Sequence, residues 1–230
     1  MFIFKSTIDY MRRGFTFLLL FYLISSYSFS QTGSIEINSG GFSFIPIFTS
    51  DKPHIIFRGS TNDKNRFSLN LLSLIMLDGL TPSNHVLTAR YKIFDKKFKF
   101  ILGAEFPGGY RVLENEEYRS RNVYEIRSSY PINSRMKLSF LYMHGVGRNF
   151  DMTNNFYSFY FHYQFKKIKI QTSSQIYILY SDLLNEPSAG LARKISLKLK
   201  EKILLNIFIN RSFLGEEKIS NRTIGLEFNF

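Results

Sequence analysis

The chain has no cysteine. That excludes a disulfide scaffold, a thiolate metal site and a cysteine nucleophile, and it suits an oxidising compartment, where a stray thiol is a hazard. After Gln31 there is no apolar run approaching the ~18 residues that a membrane helix needs. The basic residues form no Lys/Arg block; they are spread singly, which argues against a nucleic-acid stripe. The four histidines, His54, His85, His144 and His162, never pair at ligand spacing, so neither a metal site nor a cofactor is indicated. "FPGGYR" (106–111) is glycine-rich but lacks the strand–loop–helix setting of a phosphate loop.

What is present is aromatic and basic. Of 230 residues, 25 are Phe and 14 are Tyr, none is Trp, and the formal charge is +12. Mean hydropathy is only -0.10, so the arrangement of the apolar residues carries the information.

The segment beginning at Met11, "MRRGFTFLLLFYLISSYSFSQ", has the pattern of a secretory signal. Arg12 and Arg13 form its positive end, a short apolar stretch follows, and Ser28 and Ser30 suit cleavage before Gln31. Residues 1–30 are expected to be a signal peptide and 31–230 the mature domain. Removing Lys5, Asp9, Arg12 and Arg13 takes away a net +2, leaving about +10 on the mature chain.

The mature chain alternates with a period of two. "FKFILGAE" sets Phe98, Phe100, Leu102 and Ala104 against Lys99, Ile101, Gly103 and Glu105. "FYSFYFHYQF" sets Tyr157, Phe159, Phe161, Tyr163 and Phe165 against Ser158, Tyr160, His162 and Gln164. Such spacing belongs to strands. The links alternate too. "DKK", "PINS", "KK" and "KEK" are tight, whereas 107–121, 145–155, 181–189 and 214–220 are longer and polar. Candidate strands fall near 34–48, 54–60, 66–77, 85–94, 98–106, 122–131, 135–145, 155–165, 168–180, 189–199, 203–212 and 221–230. The first contains Gly40, Gly41 and Pro46, so ten strands plus an N-terminal plug is the alternative count.

Alternating strands also suit a soluble β-sandwich. The bulky apolar face on nearly every strand, with Tyr91, Tyr124, Tyr130, Tyr142, Tyr157, Tyr163 and Tyr180 near strand ends, favours a barrel in lipid with interfacial aromatic girdles. The opposite face would then line the lumen. It carries the basic residues Arg58, Arg66, Arg90, Lys92, Lys99, Arg127, Lys137, Lys169, Lys194 and Lys198, and the acidic residues Glu105, Glu125 and Glu227. Rings of Arg and Lys favour anions in a pore. Arg193 departs from the pattern by falling on the apolar face, which requires either a rim position or a bulge at Gly190.

The closing residues "TIGLEFNF" place Ile224, Leu226, Phe228 and Phe230 on one face and end on an aromatic. This resembles the C-terminal signature of bacterial outer-membrane β-barrel proteins, and the Phe/Ile/Lys/Asn-rich usage is similar to barrels of Bacteroidota. The resemblance implies an all-β, antiparallel, up-and-down transmembrane barrel of about 12 strands. It also implies that the last strand is read by the barrel-assembly machinery and closes against the first. The expected partners are outer-membrane lipid, that machinery and anionic small solutes, with no nucleic acid. Three functions follow: a narrow anion-preferring pore, a non-conducting docking subunit of an envelope complex, or an outer-membrane lipid hydrolase. The last would centre on His144, but Val146 stands where such enzymes carry the nucleophilic Ser.

Overall fold

The computed structural model describes residues 32–40, 52–61, 64–111, 118–184, 186–215 and 220–230. The expected signal peptide therefore lies outside the described residues. Those described form β1 (Thr32–Asn38), β2 (His54–Ser60), β3 (Phe67–Met76), β4 (Thr81–Asp95), β5 (Lys99–Arg111), β6 (Tyr118–Pro131), β7 (Met136–Gly147), β8 (Thr153–Lys166), β9 (Ile170–Ser181), β10 (Ser188–Lys198), β11 (Ile203–Leu214) and β12 (Ser220–Asn229). Each strand pairs antiparallel with its sequence neighbours, and β1 pairs with β12, so the sheet closes into a barrel without a free edge.

Closure follows from the pattern. A chain alternating apolar and polar residues over this many strands has one face to hide from water and one to hide from lipid, and a closed sheet in a membrane satisfies every backbone group while separating the two. Ile176, Ile178, Ile209, Ile224, Leu226 and Phe228 are exposed on the outside. Between them Gln175, Asn206, Asn210, Thr223 and Glu227 are buried inside. Among the described residues no helix is long and apolar enough to cross a membrane.

One rim, the turn rim, carries the start of β1, the end of β12 and the tight connections. The opposite loop rim carries the longer links. Near the loop rim Tyr142, Tyr157 and Tyr180 occupy one cross-strand row on the outer face of β7, β8 and β9. Their ring centroids are 5.0 and 6.3 Å apart, a segment of interfacial girdle.

Three sequence expectations need correction. The first strand ends at Asn38 rather than 48, and 41–51 lies outside the described residues. The supposed long loop 107–121 is largely sheet, because β5 runs to Arg111 and β6 begins at Tyr118. Gly108 and Gly109 pair with Arg121 and Ser120 after a register shift, so the glycines bend a strand rather than end it. The third is the fourth strand, expected near 85–94, which begins at Thr81 and runs to Asp95, so that its link to β3 is a single 3-10 turn, Asp78–Leu80.

Candidate functional site

Inward-facing residues divide the lumen into two unequal halves. Against β7 to β11 it is filled by an apolar cluster of Leu141, Phe156, Tyr177, Leu179, Ala192 and Phe208. Leu184, from the link after β9, packs onto the same cluster. The Tyr177 hydroxyl donates to Asn210 Oδ1 at 2.9 Å. It occupies the space a Cβ would need at Gly190, so the glycine admits the ring. Against β1 to β7 the lumen holds a cavity of about 560 Å³, lined by Arg58, Arg90, Arg121, Arg127 and Glu105 among others.

Two carboxylate-centred groups hold those arginines. Glu125 is fully buried at its side chain and accepts from Arg90 Nε and from Arg127 Nη2, the latter at 2.8 Å. Arg90, Gly103 and Glu125 share one row across β4, β5 and β6. A Cβ at position 103 would collide with the Glu125 side chain, so Gly103 opens the lane through which Arg90 and Glu125 meet. Glu36 on β1 accepts from Arg58 Nη1 at 2.7 Å, Asn38 Nδ2 at 2.8 Å and Asn206 Nδ2 at 3.1 Å. Asn206 also donates to Glu227 Oε2 at 2.6 Å, and Lys194 Nζ reaches the same oxygen at 3.3 Å. This second group crosses the β1–β12 seam. Glu36 reaches Asn206 on β11 past β12 because Gly225 lies between them, where a Cβ would strike Glu36 Oε1.

Glu125→Gln would leave two guanidiniums side by side without their counter-ion. Removing one partner of a buried charge cluster costs ~3 kcal/mol or more. The expected result is a lower urea midpoint for the barrel refolded in lipid vesicles, read from its heat-shifted gel mobility.

The other predicted lumen residues are placed as follows. Lys92 and Lys99 lie near the turn rim and share Asp95, at 3.2 and 3.3 Å. Lys137 and Lys194 are in β7 and β10, and Lys198 is the exposed last residue of β10. Arg66 and Lys169 are not on strands; each immediately precedes one, at β3 and β9. Glu105 lines the cavity, and its Oε2 is buried without a hydrogen-bond partner. The sequence reading missed Glu36, which sat in a segment blurred by nearby Gly and Pro, and Arg121, which was assigned to a loop. The parity of "SIEIN" pointed to Glu36: Ile35 and Ile37 flank it on the opposite face. The lumen is accordingly less positive than the expected ten basic to three acidic residues.

Arg193 remains outward. The register does shift between Ala189 and Gly190, but Arg193 is exposed and its Nε donates to Ser174 Oγ at 3.1 Å. Each histidine has a local partner: His54 with Lys52 O and Ser83, His85 with Ser73, His162 with Ser173. His144 Nδ1 meets Asn155 Oδ1 at 2.9 Å, and Asn155 Nδ2 donates to Asp182 at 2.8 Å. That chain orients an imidazole, and Val146 supplies it with no hydroxyl to activate.

No protein-family model and no curated protein matches the sequence. Solved structures do match the fold. The KdgM porin aligns over 86% of this chain and 99% of its own, with a TM-score of 0.57 at 10% identity. The same porin in complex with disordered oligogalacturonate gives 0.55 at 11% identity, over 87% of this chain and 98% of its own. The NanC porin gives 0.53 at 11% identity, over 87% of this chain and 99% of its own. The chain shares the closed β-barrel fold of these outer-membrane porins.

Proposed function

We propose that this barrel is a narrow channel for small anionic solutes. The observation that carries the reading is the cavity wall, where Arg58, Arg90, Arg121 and Arg127 face one side of the lumen. Guanidiniums held in place by buried carboxylates lose little on meeting an anion, because their geometry is fixed beforehand. The apolar cluster opposite narrows the passage and gives an elongated solute a surface to slide along. A similar fold has been solved with oligogalacturonate, an acidic oligosaccharide, which supports a carboxylate-bearing solute as the class to test first.

In this reading residues 1–30 direct export. The C-terminal strand, with Ile224, Leu226, Phe228 and Phe230 outward, is the element recognised by the assembly machinery. The turn rim lies in the periplasm and the loop rim outside.

The test is ion current across a planar bilayer holding the refolded mature chain under a KCl gradient. The expected result is steady current with Cl⁻ crossing more readily than K⁺. A K⁺ preference would refute the anion reading. Silence from a chain shown to be folded would favour the docking-subunit reading, for which the partly filled lumen is the supporting observation.

A further inference from the structure

The outer wall of the barrel carries a feature that the lumen does not explain. Among the outward-facing positions of β7 to β12, the Lys, Arg, Asp and Glu side chains are Arg193, Arg211 and Arg222. All three are arginine, all are exposed, and they sit on three consecutive strands.

Their register makes them a cluster. Arg193 on β10 pairs with Ile209 on β11, and Ile209 pairs with Arg222 on β12. Arg193 and Arg222 therefore flank Ile209 at about 10 Å from one another, two strand spacings apart. Arg211 lies two residues further along β11 on the same face, about 7 Å from Ile209. Arginine side chains are long enough for three guanidiniums so placed to converge over Ile209. The surrounding outward residues, Leu191, Ile224 and Ile178, are exposed and apolar. Arg193 spends its Nε on Ser174 Oγ, which leaves its two terminal amino groups for another acceptor.

A charge on the lipid face costs about 2–4 kcal/mol at the midplane and less towards the interface. Three such charges gathered on one side, with no acid among the described outward positions of β9 to β12, would repel one another unless an anion lies among them. Two of the three lie towards the loop rim: Arg222 is two residues into β12 and Arg211 three residues from the end of β11, while Arg193, at the middle of β10, shares a row with Arg222 through Ile209. Side chains this long lead their charged heads to the headgroup level. At that depth the available anion is a lipid phosphate, which a guanidinium binds through two parallel hydrogen bonds.

We propose that Arg193, Arg211 and Arg222 form a site on the lipid-facing wall for the phosphate of an anionic lipid headgroup in the leaflet at the loop rim. The site is independent of what the lumen carries.

Native mass spectrometry of the refolded barrel tests this, using micelles doped with lipid A, phosphatidylglycerol or phosphatidylcholine. The wild type is expected to retain lipid A and phosphatidylglycerol at least tenfold more than phosphatidylcholine. The triple variant Arg193→Gln, Arg211→Gln, Arg222→Gln is expected to lose that preference while keeping its heat-shifted mobility and its lumen conductance. Equal retention of all three lipids by the wild type would overturn the proposal, and that arm needs no variant to fold. Unchanged lipid A retention by the triple variant would also overturn it. So would a wild-type oligomer, in lipid-free detergent, that the triple variant converts to monomer, because the patch would then face a second copy of the chain.

Discussion

Phe230→Ala is expected to lower the amount of folded barrel in the outer membrane of cells at least tenfold, while leaving the refolded protein within ~1 kcal/mol of the wild type. The two halves of that expectation have different physical sources. The ring is 63% exposed and stacks loosely on Phe228, with centroids 6.4 Å apart, so its removal uncovers little apolar area. At roughly 25 cal/mol per Å² the stability change is small. The backbone contacts that matter for closure, Phe230 N to Gly33 O at 3.0 Å and Gly33 N to Phe230 O at 3.3 Å, survive the substitution. A residue that contributes little to the finished barrel, yet stands at its outer seam, is suited to recognition during assembly. Comparing surface levels in cells with urea unfolding in vesicles separates the two roles. A parallel loss in both would mean that the ring is merely structural.

The second large effect concerns ion selectivity. The cavity wall places Arg58, Arg90, Arg121 and Arg127 against the carboxylates of Glu36, Glu105 and Glu125, a balance of 4 − 3 = +1. Combining Arg90→Gln, Arg127→Gln and Glu125→Gln replaces a whole ionic cluster by amides of similar shape, which proteins tolerate better than loss of one partner. Adding Arg121→Gln leaves Arg58 against Glu36 and Glu105, a balance of 1 − 2 = −1. At an effective dielectric of about 20, a unit charge about 10 Å from an ion contributes roughly 1.5 kcal/mol before screening, and salt reduces that. The quadruple variant is therefore expected to lower the Cl⁻ to K⁺ permeability ratio by about tenfold, measured as the reversal potential under a KCl gradient. An unchanged ratio would show that the current passes without sensing this wall.

The barrel itself was legible in the sequence because its signal is repeated. Each strand is a weak pattern, but the same parity recurs along the chain, and Ile224, Leu226, Phe228 and Phe230 alone fix which face is outward. Strand ends were less legible. β5 and β6 extend beyond the apolar belt, where no lipid enforces alternation, so residues such as Arg121 read as loop. Which lumen charges meet was not legible at all. Arg90 joins Glu125 through two strand pairings and the missing side chain of Gly103, and no single strand records that geometry. The apolar filling of one half of the lumen was understated for a different reason: Phe208 and Leu179 sit on the polar face of their strands, where an alternation rule counts them as exceptions.

The Glu36 group has a consequence for how the barrel is finished. Before the first and last strands meet, Glu36 has Arg58 and Asn38 beside it on β1 and β2 but lacks Asn206, and Glu227 stands apart on the other side. Docking β12 onto β1 brings both carboxylates to one amide, across a glycine that any larger residue would block. A strand offered one residue out of register would present the opposite face, placing Glu227 in lipid and an apolar side chain against Glu36. The seam thus favours its own correct closure: a misaligned last strand turns Glu227 towards lipid, and the correct alignment holds both carboxylates in the lumen on one shared amide.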